Sequence, residues 1–272
     1  VVLNKEYLEK QRTSLEQQKM HVDLELKKSE SGSDTDFIEA MAAEERKIQG
    51  EVTAIGSRIG TLEQEMKAII LAAGMGTRLG KYTENLPKCM LNFNGKPLIQ
   101  HQVEILQEAG ITDISIVRGY NAEKIQIPEV KYYHNPYYAS TNMVETLFCA
   151  EKELDDSDDV LVCYADILYE PYIVQKVLES PADVGVTIDE DYWDYWQARS
   201  DEPEKDMESL VISDGKIVEL GNTKCTRDEA KVRYVGLIKF SKEGIQKLKE
   251  VYHQNKQQYY ALDQPWLRSK SF

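Results

Sequence analysis

A glycine-rich segment followed by a lysine contains the residue types with the clearest chemistry in this chain. Glycine lets the backbone turn tightly, so that successive N–H groups can face an anion. Arginine adds a planar fork of donors suited to phosphate oxygens, and lysine adds a point charge. The segment therefore predicts a site for a phosphate-bearing ligand. It consists of Leu71, Ala72, Ala73, Gly74, Met75, Gly76, Thr77 and Arg78, with Pro87 and Lys88 following in the chain.

Two common phosphate-binding loops do not fit this segment. A Walker A loop requires Gly-Lys-Ser/Thr, whereas the chain has Gly76-Thr77-Arg78. A dinucleotide-binding loop requires a third glycine where Leu79 stands. The remaining alternative is a glycine turn with surface cations and no ligand.

From residue 66 onward, the chain alternates strand and helix patterns that position this segment. Continuous apolar runs at 67–72, 114–117 and 160–164 predict strands buried on both faces, and residues 97–109 have helical periodicity. The alternation predicts an α/β fold with a mostly parallel sheet and helices on both faces. Such sheets bind ligands at the carboxyl ends of their strands, where the glycine-rich segment lies. Further strands are predicted at 131–134, 184–188 and 234–240, a hairpin turn at 213–216, and helices at 142–153 and from 241 to about 253.

The first 65 residues have a different pattern, rich in Glu, Gln, Lys and Leu and without proline. Leu8, Leu15 and Val22 recur every seven residues, and a second apolar stripe follows a break at 31–34. The pattern predicts a helical hairpin over 1–65, ahead of a domain over 66–272. Long helices cannot bury such stripes alone, so we expect a homo-oligomer through these helices or packing on the main domain. The second stripe consists of Ile48, Val52, Ile55, Ile59, Leu62 and Met66.

Composition and charge exclude several classes of partner. The 272 residues carry a net charge of −14, which repels the phosphate backbone of nucleic acids. No run of 18 apolar residues predicts a membrane span, and no apolar core of a signal peptide begins the sequence. The four cysteines stand far apart, without a CxxC pair, which favours reduced thiols and a cytoplasmic location.

The glycine-rich segment and the Pro-Lys pair together resemble the signature of the nucleotidyltransferases that activate sugar phosphates, phosphocholine and phosphonates. The resemblance extends from residue 66 to about 253. It is strongest to the small cytidylyltransferases acting on phosphocholine and 2-aminoethylphosphonate, and it implies a Rossmann-like sheet with the nucleotide at the glycine-rich loop. The segments that carry it are LAAGMGTRL at 71–79, PKCM at 87–90, NGKPL at 94–98, VRGY at 117–120, NPYYASTNM at 135–143 and YVGLIKF at 234–240.

The resemblance also implies roles for individual residues of the nucleotide site. The loop at 71–78 would hold the triphosphate of CTP, with Arg78 on the outer phosphates. Lys88 would stabilise charge at the α-phosphate during transfer. Thr141 and Asn142 would contact the base and ribose.

Asp166 is placed by the same resemblance at the Mg²⁺ site. The residues support this placement, because a carboxylate just beyond an apolar strand is costly unless it is paired or metal-bound. Mg²⁺ is usually held by one or two carboxylates together with phosphate oxygens. A helix N-cap before Glu170-Pro171 is the alternative for Asp166.

Relatives also carry a second metal-binding aspartate on a late strand. After residue 240, this chain offers only Asp263, and no apolar strand precedes it. We therefore expect the domain to be C-terminally incomplete in this sequence, with Asp263 as the candidate.

A segment rich in aromatic and acidic residues is the predicted binding site for the acceptor, the molecule to which the enzyme would transfer the nucleotidyl group. Residues 189–196 contain four acids and four aromatics, including Tyr192, Trp193 and Trp196. Aromatic faces beside carboxylates suit a cationic headgroup, which favours a zwitterionic acceptor. The resemblance adds Glu219 to the acceptor pocket. The alternatives are an amphipathic helix whose rings pack internally and, for Glu219, an exposed acid at a strand end.

The sequence thus predicts a Mg²⁺-dependent enzyme that transfers CMP from CTP to 2-aminoethylphosphonate or phosphocholine and releases pyrophosphate. The phosphonate is favoured by the resemblance of residues 191–210. The attacking oxygen is already anionic at neutral pH, so no general base is required. One alternative is a sugar-1-phosphate nucleotidyltransferase using UTP or dTTP. Another is a non-catalytic nucleotide-binding module assembled through residues 1–65.

Overall fold

The computed structural model describes residues 5–29, 35–63, 66–155 and 157–261. The chain divides into two compact units. The first contains residues 1–65 and 108–110, and the second contains residues 66–107 and 111–272.

The first unit is a pair of helices, α1 (Lys5–Ser29) and α2 (Thr35–Glu63), that pack against each other. Leu8 and Val22 of the predicted heptad are buried, and so is Ile48 of the second stripe. Lys19 on α1 reaches α2, where its ammonium donates to the side-chain oxygen of Gln49 at 2.6 Å. The expected N-terminal helical pair is therefore confirmed.

Two details of that prediction have a different outcome. Met66 does not extend the stripe of α2, because the helix ends at Glu63 and Met66 begins the first strand of the sheet. The predicted break at 31–34 lies outside the described residues.

The second unit is an α/β fold built around one main sheet. The strands are β1 (Met66–Ala72), β2 (Asn92–Phe93), β3 (Lys96–Pro97), β4 (Asp113–Arg118), β5 (Lys131–His134), β6 (Asp159–Tyr164), β7 (Val184–Asp189), β8 (Leu210–Ser213), β9 (Lys216–Leu220) and β10 (Arg233–Phe240). In the part of the chain that the structure describes, the strand order of the main sheet is β5-β4-β1-β6-β10-β7, and helices flank it. The helices are α3 (Leu98–Glu108), α4 (Met143–Phe148), α5 (Pro171–Leu178), α6 (Tyr192–Arg199) and α7 (Lys242–Ala261).

The continuous apolar runs form the buried centre of this sheet, as the sequence predicted. Strands β1, β4 and β6 are parallel neighbours and are buried over most of their length. Because β4 lies on one side of β1 and β6 on the other, the chain changes direction across the sheet at β1. The carboxyl end of β1 is the usual place for a ligand crevice in such a sheet. The mostly parallel, Rossmann-like fold is confirmed.

Strand β10 runs antiparallel to both of its neighbours, β6 and β7. The long segment after β7 contains α6 and the β8–β9 hairpin, and it begins and ends at the carboxyl edge of the sheet. The strand must therefore run back in the opposite direction. Its first residue, Arg233, pairs with Asp189 at the carboxyl end of β7.

Other local predictions agree with the structure except at two helices. The last helix was predicted to end at about residue 253, but α7 continues to Ala261. The β8–β9 hairpin turns at Asp214-Gly215 with positive φ at both residues, and the Ser241 hydroxyl accepts from the Gly244 N–H at 3.1 Å to cap α7. The helix predicted at 142–153 is wrong in length, because α4 ends at Phe148 and a separate turn of 3₁₀ helix covers Glu151–Glu153. No helix in the described ranges is both long enough and apolar enough to cross a bilayer.

Candidate active site

The glycine-rich loop leaves the carboxyl end of β1 and turns back beside Lys88. Gly76 has φ 62°, in the left-handed region that favours glycine. A Cβ added to Gly76 would lie 3.2 Å from the Cβ of Lys88 and 3.2 Å from the Cγ2 of Thr83. A glycine is therefore needed here both for the turn and for the close approach of the lysine.

Two neighbouring segments fix the loop. The buried Thr83 hydroxyl donates to the Gly76 carbonyl at 2.8 Å. On the other side, the Tyr120 N–H donates to the Ala73 carbonyl at 3.2 Å, and a Cβ at Gly119 would lie only 2.8 Å from the Cβ of Ala73. The segment after β4 thus lies directly against the loop that follows β1.

The loop presents backbone and polar groups at its surface. Ala72 and Ala73 are buried, Leu71 and Gly76 are half-buried, and the others are exposed. Arg78 lies on a 3₁₀ turn over Thr77–Tyr82, and its side chain makes no hydrogen bond or ion pair with the described residues. Its guanidinium is therefore available to an anion that enters the loop. The exposed members of the predicted set are Gly74, Met75, Thr77 and Arg78.

Lys88 and Asp166, which are far apart in the sequence, form an ion pair. The ammonium of Lys88 lies 2.6 Å from a carboxylate oxygen of Asp166, and the two side chains are 36% and 39% exposed. Asp166 stands just beyond the carboxyl end of β6, the strand next to β1. The alternative of a helix N-cap is wrong for Asp166, because α5 begins at Pro171 with Glu170 in the N-cap position.

Thr141 and Asn142 lie where the chain enters α4, beyond the end of β5. The Asn142 side-chain oxygen accepts from the N–H groups of Val144 and Glu145 at 3.0 and 3.2 Å, which caps the helix. The Thr141 hydroxyl donates to the Tyr137 carbonyl at 2.8 Å. Both predicted nucleotide contacts therefore also have a local structural role.

Of the two carboxylates predicted for the metal site, the structure describes only Asp166. In the described ranges, no three His, Cys, Asp or Glu side chains are grouped closely enough to hold a metal ion. Asp263 lies outside those ranges. A single exposed carboxylate fits Mg²⁺, which takes one or two protein carboxylates and completes its shell with water and substrate phosphates.

The two buried cysteines near the site are unsuited to nucleophilic chemistry. Burial raises the pKa of the Cys89 thiol, next to Lys88, to about 12, and burial likewise raises that of Cys163 on β6 to about 12. The thiolate is the nucleophilic form of cysteine, and it is scarce at neutral pH for such pKa values. Neither thiol is therefore a candidate nucleophile at neutral pH.

The aromatic segment predicted to contact the acceptor forms α6, and its first ring is internal. Tyr192 is buried, and its hydroxyl donates to the Ala230 carbonyl at 2.5 Å. Trp193 is covered by the guanidinium of Arg227, 4.3 Å from the ring centre. The packing alternative therefore describes Tyr192 better than ligand contact does.

Trp196 is likewise contacted by cations of the same chain. The guanidinium groups of Arg199 and Arg233 lie 4.1 and 4.3 Å from its ring centre, and its indole N–H donates to Asp206 at 3.3 Å. A cationic headgroup would have to compete with these arginines for the tryptophan faces. Glu219 is exposed on β9, where it accepts from the side-chain amide of Asn222 at 3.4 Å.

Sequence reasoning missed the residues that support the loops. Thr83 and Gly119 hold the glycine-rich loop in place, and Gln102 is fully buried in α3. A signal for Gln102 was present, since it is a polar residue on the face of α3 that also contains Ile99, Val103 and Leu106. Its partners could not be read from the sequence, because they lie more than sixty residues away.

The comparison with protein families agrees with this geometry. Residues 68–227, more than half of the chain, match the MobA-like NTP transferase domain. The chain belongs to this family. The expected resemblance to nucleotidyltransferases is confirmed, and the chain is an enzyme of this type rather than a non-catalytic module.

Three curated relatives illustrate the similarity. The CTP:phosphoglutamine cytidylyltransferase of Campylobacter jejuni is 37% identical over 185 residues, which are 65% of this chain and 73% of the relative. The choline-phosphate cytidylyltransferase of Streptococcus pneumoniae is 47% identical over 96 residues, 34% of this chain and 42% of the relative. The 2-aminoethylphosphonate cytidylyltransferase of Lancefieldella rimae is 32% identical over 114 residues, 40% of this chain and 46% of the relative. The chain thus matches less than half the length of the last two.

Proposed function

We propose that this chain transfers CMP from CTP to the phosphoryl or phosphonyl oxygen of a small zwitterionic acceptor and releases pyrophosphate, with Mg²⁺ as cofactor. The observation that carries the proposal is the Lys88–Asp166 pair beside the turn at Gly76. A cation, a carboxylate and a glycine-rich loop meet at the carboxyl edge of the sheet. This is the combination that nucleotidyl transfer requires.

The chemical step needs positioning and charge neutralisation. An acceptor oxygen attacks the α-phosphorus of CTP, and a new P–O bond forms. The bond from that phosphorus to the bridging oxygen of the β-phosphate breaks, so that pyrophosphate leaves with the electron pair. Because the acceptor is an anion at neutral pH, the main barrier is repulsion between two anions, which Arg78 and Lys88 reduce.

The Lys88–Asp166 pair can open at little cost. Exposed ion pairs contribute roughly 0–1 kcal/mol to stability, and both side chains are more than one-third exposed. The Lys88 ammonium can therefore turn from the carboxylate to an α-phosphate oxygen when the nucleotide binds. Asp166 would then hold Mg²⁺, which supplies further neutralisation of phosphate charge.

The acceptor is proposed from the chemistry that the relatives' substrates share. Phosphoglutamine, choline phosphate and 2-aminoethylphosphonate, as named for those enzymes, each combine a phosphoryl or phosphonyl group with a cationic nitrogen. We place the acceptor of this chain in that class, with 2-aminoethylphosphonate and phosphocholine as the first compounds to test. Phosphoglutamine also carries a carboxylate, which the arginines beside Trp193 and Trp196 could bind.

Pyrophosphate release tests the proposal directly. CTP, UTP, dTTP and GTP are each combined with Mg²⁺ and with 2-aminoethylphosphonate, phosphocholine, phosphoglutamine or glucose 1-phosphate. We expect release with CTP and one of the zwitterions. Fastest turnover of UTP or dTTP with the sugar phosphate would instead establish the sugar-1-phosphate alternative.

Two lysine variants show whether the proposed site is responsible. Lys88→Ala should abolish release while leaving the unfolding transition near that of the unmodified chain. Lys176→Ala is the matched control, because this lysine is exposed on α5 and its ammonium lies over the ring of Tyr172. Equal rates for all three chains would contradict the assignment of Lys88.

A further inference from the structure

A buried side chain of α3 forms hydrogen bonds with the backbone of the loop that contains Asp166. Gln102 is 0% exposed, and its side-chain N–H₂ group donates to the Tyr164 carbonyl at 2.9 Å and to the Ile167 carbonyl. These two carbonyls lie on either side of Asp166 in the chain. One amide group therefore spans the short segment in which the carboxylate stands.

The first half of this segment also has support from the sheet. The Ala165 N–H donates to the Leu71 carbonyl at 3.3 Å, which continues the pairing of β6 with β1. The Tyr164 ring lies against Gly236 of β10, where an added Cβ would be 2.6 Å from a ring carbon. Beyond Asp166 the strand pairing has ended, and it is the Gln102 side chain that fixes the Ile167 carbonyl.

The chemistry of Gln102 indicates that these contacts are the reason for its burial. Both partners are carbonyl acceptors, so only the N–H₂ end of the amide can serve them. The other end, the side-chain oxygen, is buried without a hydrogen-bond partner. An unpaired buried oxygen is unfavourable, and a leucine would match the apolar face of α3 without it. Packing alone therefore does not account for glutamine at this position.

We propose that Gln102 is a positioning residue for Asp166. By fixing the backbone on both sides, it holds the carboxylate at the Lys88 ammonium, where Mg²⁺ and the triphosphate are to bind. The proposal rests on the proposed function, since it concerns the same metal-binding carboxylate. Gln102 itself touches neither the nucleotide nor the reacting oxygens.

Gln102→Leu tests this role, with Gln100→Leu as the matched control. Gln100 lies on the same helix and donates to Glu104 at 3.1 Å. In Gln102→Leu, backbone amide exchange should speed up in a peptide covering residues 165–168. The Mg²⁺ concentration for half-maximal CTP turnover should rise roughly 10- to 100-fold, as for other residues that orient metal ligands. Gln100→Leu should change neither quantity.

A folded Gln102→Leu chain with unchanged exchange and unchanged Mg²⁺ dependence would overturn the positioning role. If the leucine variant does not fold, Gln102→Met decides by the same two measurements, because its unbranched side chain keeps the shape of glutamine. Asp166→Asn separates the two proposals. An inactive Asp166→Asn chain beside a normal Gln102→Leu chain contradicts the positioning role alone, and a fully active Asp166→Asn chain contradicts the metal-binding role of Asp166 and the positioning role with it. The proposed function is contradicted by a different result, the absence of pyrophosphate release by the unmodified chain with CTP and every acceptor tested.

Discussion

Gly76 combines two constraints that other residues satisfy poorly. Its φ of 62° disfavours any residue with a Cβ, and that Cβ would press on Lys88 and Thr83 at 3.2 Å. We expect Gly76→Ala to lower the free energy of unfolding by about 1–2 kcal/mol, the usual cost of a left-handed backbone. It should also slow pyrophosphate release, because Lys88 is displaced from its place beside the loop.

Chemical denaturation and the pyrophosphate assay measure the two effects. Gly74→Ala is the comparison for stability, since Gly74 has no positive φ and an added Cβ would meet nothing within 4 Å. Its denaturation midpoint should stay near that of the unmodified chain. Equal midpoints for the two alanine variants would show that the turn at Gly76 is not under the constraint inferred here.

Cys89 and Cys163 should resist alkylation in the folded chain. With pKa values of about 12, both thiols stay protonated at pH 8, and iodoacetamide reacts with thiolates. Half-buried Cys225 is the internal control, and peptide mass spectrometry after brief treatment measures each site. Labelling of Cys89 as fast as that of Cys225 would contradict the raised pKa.

The raised pKa values of Cys89 and Cys163 determine whether the stability of the fold rises or falls with pH. An unfolded cysteine loses its proton near pH 8.5, whereas these folded thiols keep theirs up to about 12. Between those values the folded state binds more protons, so that rising pH destabilises the fold. The melting temperature should therefore fall less steeply with pH in Cys163→Ala than in the unmodified chain.

At the scale of single residues, the sequence was informative where chemistry is local. The glycine-rich segment and Lys88 are recognisable because their types and spacing suit phosphate, and Asp166 because it follows an apolar strand. In the structure, the Lys88 ammonium lies 2.6 Å from a carboxylate oxygen of Asp166. Gln102 was not predictable, since its function depends on carbonyl groups, which every residue has, brought to it by folding.

At the scale of elements, Lys239 joins β10 to the end of α5. Its side chain is nearly buried, and the ammonium donates to the carbonyls of Leu178 and Ser180 at 3.0 and 2.9 Å. It also lies 3.4 Å from a carboxylate oxygen of Asp159 on β6. One side chain thus satisfies a carbonyl of the last residue of α5 and one just beyond it, and it also pairs with an acid on the adjacent strand.

We expect Lys239→Ala to lower the free energy of unfolding by about 3 kcal/mol, because it leaves buried polar partners unpaired. Pyrophosphate release at a temperature well below the transition should stay close to that of the unmodified chain. Lys242→Ala, at an exposed position three residues further on, should change stability by less than about 0.5 kcal/mol. Similar denaturation midpoints for both variants would contradict this role of Lys239.

The elements also show how far local sequence patterns determine a fold. The buried parallel strands β1, β4 and β6 were predictable, because a continuous apolar run has few other stable environments. The antiparallel direction of β10 was not predictable, because it depends on the edge of the sheet at which the preceding segment ends. The early end of α4 was missed for a related reason. After Phe148, the Cys149 N–H is shared between the carbonyls of Glu145 and Thr146 at 3.1 and 3.2 Å, and the Ala150 N–H bonds to the Leu147 carbonyl three residues back at 3.0 Å. The backbone thus tightens without a glycine or proline to mark the change.

At the scale of the whole molecule, the net charge of −14 contrasts with the cationic residues expected at the nucleotide site. A field of this sign does not attract CTP, so binding must rely on short-range contacts with Arg78, Lys88 and the loop N–H groups.

The N-terminal helical pair has apolar side chains on its surface. Met20 and Leu24, one turn apart on α1, are 62% and 49% exposed although Leu8 and Val22 on that helix are buried.

These exposed residues give the predicted homo-oligomer a specific test. Apolar side chains one turn apart on a helix are suited to packing against a second copy of the chain. We expect light scattering to give a mass above that of one chain, and Met20→Glu with Leu24→Glu to reduce it toward the monomer. Helical content by circular dichroism should be unchanged, because neither side chain is buried. Gln17→Glu with Gln18→Glu adds the same charge at exposed polar positions of α1 and should leave the mass as it is. One common mass for the three proteins would mean that this face of α1 does not join copies of the chain.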